Sequence, residues 1–290
     1  MKRWDGFLSI PSESIRCCRD DGESSVVAIR HDTFPAGHKF YTSTMRGAII
    51  AGQPMKPIVF DRETTWHLLT EDDGIWMSDL PAEQAQADVL MRSFNGTVLV
   101  GGLGLGYVAQ RLALRRSIDR VVVIEKNPTV IQLVLRHLRG RDKIEVVLAD
   151  VHEYIATTDD RFDWVYLDTW APDGLRTFFR TVVPLRRASE RVLHRPAQWR
   201  IRCWNEDVMR GQLVHELVNN VTYAITENRL EEAATEVGNI YHDWSVRFFR
   251  FAIQAGARTN LVDEAMFYAK VYGAPKWELL WKMYAEARLR

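Results

Sequence analysis

Cysteine is scarce in this chain. Three occur among its 290 residues, Cys17 and Cys18 side by side and Cys203 alone. Without Cys-x-x-Cys spacing they make no zinc-ligand set and no disulfide framework, and an odd count fits a reducing compartment. Long apolar runs are also missing. None approaches the roughly 18 residues needed to cross a bilayer. The opening Met1-Lys2-Arg3-Trp4-Asp5-Gly6 lacks the apolar stretch of a signal peptide. The expectation is a cytoplasmic protein with no membrane contact. An excess of one charge is absent too, because 38 Lys and Arg balance 38 Asp and Glu. Bulk charge therefore gives no reason to favour nucleic acid as a partner. Local basic clusters, such as Arg111, Arg115, Arg116 and Arg120, read as helix ends and solvated faces. The eight histidines show neither H-x-x-x-H nor H-E-x-x-H spacing, so no metal is expected. Neither G-x-S-x-G nor a Cys–His arrangement offers a covalent nucleophile. The phosphate loop G-x-x-x-x-G-K-[ST] is missing as well.

What is present is the balance of a soluble globular protein, 47% hydrophobic and 26% charged. Residues 1–80 read as a β-rich lobe. Candidate strands are Ser25–Arg30, Lys39–Thr44, Ala48–Ala51, Ile58–Phe60, Thr65–Thr70 and Ile75–Met77, with turns such as Asp72-Asp73-Gly74 between them. Ser78 or Asp79 is positioned to cap a helix with Pro81 in its first turn, running to about Ser93. Residues 81–220 then alternate strand and helix, which predicts a doubly wound, mostly parallel sheet of Rossmann-like α/β type. Asn127-Pro128 is a helix start, Gln198–Trp204 a late strand, and Asn205 the cap of a further helix. Residues 221–290 carry helical apolar spacing and read as a C-terminal helical extension. Ten tryptophans read as anchors of a packed protein, Trp76 and Tyr166 among the core.

The informative segment is Val98-Leu99-Val100-Gly101-Gly102-Leu103-Gly104-Leu105-Gly106. An apolar strand runs into a turn with glycine at alternate positions, followed by a helix from Tyr107 to about Arg116. Such a turn lets the backbone come close to a ligand. Acids then end three further apolar strands: Glu125, Asp150 and Asp168. In an open parallel sheet that end of the strands is where ligands bind. The dinucleotide fingerprint is G-x-G-x-x-G, and counting from Gly102 puts Tyr107 where its last glycine belongs. The spacing Gly102, Gly104, Gly106 is similar instead to the loop that binds S-adenosylmethionine (SAM). Glu125 and Asp150 are the candidate holders of the adenosine. Asp168 is the candidate catalytic base or amine anchor, and Trp170 a candidate wall for a flat or cationic substrate. Capping of the following helices is the structural alternative for the acids.

Three segments resemble the spermidine synthase branch of the class I SAM-dependent methyltransferase superfamily. They are the hairpin Asp73-Gly74-Ile75-Trp76-Met77-Ser78-Asp79-Leu80-Pro81-Ala82-Glu83, the loop 98–106, and Asp168-Thr169-Trp170-Ala171-Pro172. The resemblance covers residues 73–168 and implies a SAM-type site on a Rossmann-like sheet. Four positions depart from the branch. Its cofactor-facing Gln falls on Met77, its loop Asp on Leu105, its second fourth-strand acid on Ala171 and a Tyr on Gln86. Two ammonium groups of a diamine need several carboxylates, and two of the branch's acids are missing. The expectation is therefore a SAM-dependent methyltransferase acting on a small molecule or a protein or RNA end-group. An aminopropyltransferase using decarboxylated SAM is the enzymatic alternative. A non-catalytic SAM-binding or interaction protein is the alternative of another class. A homo-oligomer is left open.

Overall fold

Two compact units divide the chain, one formed by Met1–Ala171 with Leu185–Trp204 and the other by Pro172–Pro184 with Asn205–Arg290. The computed structural model describes residues 8–18, 24–41, 57–170 and 177–209. The strand expected at Ala48–Ala51 and the helices expected beyond 209 lie outside these residues.

The first unit carries an antiparallel sheet ahead of a parallel one. Strands β1 (Glu13–Cys18), β2 (Ser24–Phe34), β5 (Thr64–Glu71) and β6 (Gly74–Ser78) pair in the order β1-β2-β5-β6. Between them, β3 (Lys39–Tyr41) and β4 (Pro57–Val59) make a separate two-stranded ribbon. Phe34 stacks on Phe60 and Trp66, which explains why aromatics crowd this stretch. The β5–β6 turn carries Asp72 at a φ of 51°, a conformation Asp tolerates better than most residues. β6 is an edge strand, and Trp76 on it is 39% exposed, which corrects its assignment to the core. Tyr166 is buried as expected.

Helix α1 (Pro81–Leu90) leads into β7 (Gly96–Gly101). Its N-cap is Leu80 and not Ser78 or Asp79. Both expected caps have other partners. Asp79 accepts from the His67 backbone N at 2.6 Å and bonds its Nδ1 at 2.7 Å, both groups being buried. Ser78 Oγ donates to Glu83 at 2.5 Å. A buried pair left half-made costs more than a helix cap contributes, so Asp79 is taken by His67 on β5, and Ser78 by Glu83 in the helix's own first turn.

From β7 onward strand and helix alternate: α2 (Tyr107–Ala113), β8 (Ile118–Glu125), α3 (Pro128–Val134), β9 (Ile144–Leu148), α4 (Val151–Thr157), β10 (Trp164–Leu167) and β11 (Ile201–Cys203). The late strand is shorter than Gln198–Trp204 because Gln198–Arg200 is a 3-10 turn. Asn127 caps α3 as expected, its Oδ1 accepting from Thr129 N and Val130 N. The sheet order is β11-β10-β7-β8-β9 and every pairing is parallel. Strand order reverses between β7 and β10, the topological switch point of a doubly wound Rossmann-like sheet. Val121, Val122, Val123 and Ile124 of β8 are all buried, as a strand covered on both faces requires. One apolar core runs from Leu8, Ile10, Val27, Ile29 and Leu69 of the N-terminal sheet to Val98, Val100, Val121 and Val123, with Leu112 and Leu133 from α2 and α3. α4 packs on β8 and on the turn Ser189–Val192.

In the second unit, Phe178–Val182 forms a π-helical turn; the chain continues into α5 (Val183–Ala188), of which Leu185 onward belongs to the first unit. Asn205 precedes a helical stretch that is described to Met209, whose N donates to the Asn205 carbonyl at 3.0 Å. Among the described residues no helix is long and apolar enough to cross a membrane.

Candidate functional site

Everything at the switch point converges on the loop after β7. Gly102, Gly104 and Gly106 have φ of 90°, 50° and 76°, a region that side chains disfavour. Space forbids a side chain as well. A Cβ on Gly102 would stand 2.3 Å from the Asp168 carbonyl oxygen. On Gly106 it would stand 2.5 Å from a Leu138 methyl. The glycines thus let the loop pass against the end of β10 on one side and α3 on the other.

Glu125 ends β8 and holds the loop. Its Oε2 accepts from Leu103 N at 2.8 Å and its Oε1 from Asn127 N at 2.8 Å. Its own carbonyl accepts from Ala149 N at 3.1 Å, which joins the ends of β8 and β9. Asp150 follows and caps α4, its Oδ1 accepting from His152 N at 2.7 Å. Asp168 N donates to Gly101 O at 2.9 Å, which ties the end of β10 to the loop. The three acids and three glycines expected from the sequence therefore lie along one edge, the C-terminal ends of β7, β8, β9 and β10. Trp170 is half-buried two residues beyond Asp168. Ala171 lies outside the described residues.

Leu105, where the resembled branch has an acid, is fully buried and belongs to the apolar core. Its backbone N donates to Met77 Sδ at 3.1 Å. Of the loop's other amides, Gly102 N donates to Ile124 O and Gly106 N to Leu103 O, both at 2.8 Å. Gly104 N has no partner among the described residues. The sequence resemblance puts Met77 where the branch has its cofactor-facing Gln. Its contacts with Leu105 N and Gly104 were not legible there, because only the fold brings the hairpin onto the loop.

Behind the loop sits a buried polar group. Among the described residues Tyr166 Oη, which is buried, has no hydrogen-bond partner, and neither has Trp170 Nε1. Burial pushes the Tyr166 hydroxyl pKa well up, with the Asp168 charge adding to the effect. Burial also raises the Glu83 carboxyl above the ordinary range, against the opposing bonds from Ser78. Among the described residues no His, Cys, Asp and Glu cluster is arranged to hold a metal.

No protein-family model and no curated protein matches the sequence. Solved structures do match in part. A spermidine synthase bound to the transition-state analogue AdoDATO is 18% identical at a TM-score of 0.35, over 44% of this chain and 47% of that one. The N-methyltransferase NodS from Bradyrhizobium japonicum, bound to S-adenosyl-L-homocysteine, is 18% identical at 0.31, over 40% and 58%. TrmK from M. capricolum, with the same product bound, is 13% identical at 0.30, over 37% and 47%. This chain spans about half the length of each of these neighbours. Likeness of this extent assigns neither ligand nor activity. What the geometry itself defines is a Rossmann-like α/β protein with a glycine loop and strand-end acids at the switch point.

Proposed function

We propose that the chain is a SAM-dependent transferase and that methyl transfer is its reaction. The observation that carries this is the disposition of the loop amides. A dinucleotide's pyrophosphate draws on several amides of its glycine loop. Here Gly102 N is held by Ile124, Leu103 N by Glu125 and Gly106 N by Leu103, which leaves Leu105 N, held only by the weak acceptor Met77 Sδ, and Gly104 N, alone among the described residues. A single carboxylate makes a smaller demand. Tyr107 in place of the last dinucleotide glycine points the same way, being buried at the start of α2. The neighbours' bound ligands, S-adenosyl-L-homocysteine and AdoDATO, agree with this cofactor class.

In this reading Glu125 keeps the loop in shape and presents a carboxylate edge to the ribose. Asp150 stands at the end of β9 for the adenine amino group, and Gly102, Gly104 and Gly106 admit the methionine end. Bound SAM supplies an electrophilic methyl carbon on a sulfonium. Asp168 orients the acceptor and takes the proton that the acceptor loses as the new bond forms. Trp170 lines the acceptor side, its orphaned Nε1 available to a polar group there. Leu105 leaves no carboxylate in the loop to distinguish decarboxylated SAM, which favours methyl over aminopropyl transfer.

Replacing Asp168 with Asn tests the assignment. Transfer of label from methyl-tritiated SAM into acceptor fractions falls by about 100-fold or more, as expected for loss of a general base. Affinity for S-adenosylhomocysteine stays within about twofold, within the error of removing a group that does not touch the cofactor. Unchanged transfer removes Asp168 from the mechanism.

A further inference from the structure

One side chain stands where a ligand of the glycine loop has to go. Met77 reaches from the last turn of β6 onto the loop, and its Sδ accepts from Leu105 N at 3.1 Å. The same sulfur fills the space over Gly104, where a Cβ would stand only 2.1 Å from it. Met77 is therefore against both Gly104 and Leu105, and Gly104 N has no partner among the described residues. A thioether is a weak acceptor for a backbone N–H. A carboxylate is a strong one, because the bond is then charge-assisted. Methionine has three soft torsions and moves aside at small cost. It arrives here because β6 pairs with β5 through a register shift at Leu69 and Thr70, with Met77 opposite Leu69.

We infer that Met77 is a displaceable thioether plug of the glycine loop, which a carboxylate-bearing ligand replaces at Leu105 N. The inference rests on the SAM reading above and deepens it. It says that the residue at 77, more than the loop glycines, sets how tightly the amino-acid end of the cofactor is held. The plug competes with the cofactor's carboxylate and leaves the adenosine end untouched. Its removal therefore acts on ligands that carry the amino-acid end and not on those that lack it.

The test pairs two ligands with three proteins. S-adenosylhomocysteine carries the amino-acid end, and 5′-methylthioadenosine lacks it. Their affinities are measured calorimetrically on wild type, Met77→Ala and Met77→Leu. Met77→Leu keeps the apolar volume, so it guards against a folding defect in the smaller variant. The expected result is S-adenosylhomocysteine binding about three- to tenfold tighter to Met77→Ala, the scale of one hydrogen bond's net worth, with methylthioadenosine unchanged. Met77→Leu lies between wild type and Met77→Ala, since it frees the amide but still fills the space. A second readout needs no change of sequence. With methyl-13C-methionine, the Met77 methyl signal, assigned by its loss in Met77→Leu, shifts on adding S-adenosylhomocysteine and not methylthioadenosine. Weaker binding of S-adenosylhomocysteine to Met77→Ala overturns the plug, as does a Met77 methyl that stays put while the ligand binds. If neither wild type nor Met77→Ala binds either ligand, the SAM reading falls and the plug with it. If wild type binds both and Met77→Ala gains nothing, the plug alone falls.

Discussion

At the scale of single residues, the three loop glycines are not equivalent, because different atoms oppose them. Gly102 faces a backbone carbonyl, that of Asp168, and Gly104 faces the movable end of Met77. A carbonyl fixed at the end of β10 cannot yield without disturbing the β7–β10 pairing, whereas a thioether can swing away. Both have positive φ, so alanine strains both. Gly102→Ala is therefore expected to lower stability by about 3 kcal/mol or more and Gly104→Ala by about 1–2 kcal/mol. Urea unfolding followed by circular dichroism measures both, and equal losses refute the distinction. That glycine is required at these positions is legible in the sequence, since alternate glycines after an apolar strand have few other uses. What each glycine faces is not legible. Asp168 and Met77 lie far from the loop along the chain, and only the folded sheet brings them there.

At the scale of elements, the segment from β6 into α1 collects polar side chains whose partners decide their roles. The sequence pattern marks the turn into α1 through Pro81, and α1 begins there. It misassigns Asp79 as a cap because local pattern carries no trace of buried His67 on β5, and Ser78 because its hydroxyl goes to the Glu83 carboxylate and not to a backbone N–H. The strand-end acids are legible for the opposite reason. Each follows a run rich in apolar residues, the local signal of a parallel strand, although β9, which leads to Asp150, lies at the sheet edge and is only partly buried. Glu83 in the first turn of α1 is half-hidden behind Ser78, and burial raises its carboxyl pKa. A carboxyl whose pKa rises on folding holds its proton more tightly in the folded chain. Stability then falls as pH climbs from the ordinary glutamate range through the raised value. Glu83→Gln removes that dependence while keeping an acceptor for Ser78. The variant's denaturation midpoint is expected above that of wild type at neutral pH, and the gap closes on acidification. A gap that does not change with pH contradicts the burial effect.

At the scale of the whole molecule, the order β11-β10-β7-β8-β9 is what brings the scattered acids to one edge of the sheet. Crossovers place the chain's successive strand ends side by side, so Glu125 and Asp168 bond to the loop or the strand that enters it, and Asp150 stands at the end of the neighbouring β9, although helices separate them in sequence. The apolar core that joins the N-terminal sheet to the parallel one lets Met77 of the hairpin bear on that loop. The alternation of strands and helices predicts this architecture. The shared core of the two sheets is not predicted by it, because the N-terminal strands carry no pattern that names the face they pack on. The central claim is that the switch-point loop takes SAM. Its most direct test is calorimetric titration of the protein with SAM, S-adenosylhomocysteine, decarboxylated SAM and NAD. The account predicts micromolar binding of the first two, weaker binding of decarboxylated SAM, which has no carboxylate to displace Met77, and none of NAD. Preference for NAD, or binding of none of the four, contradicts it.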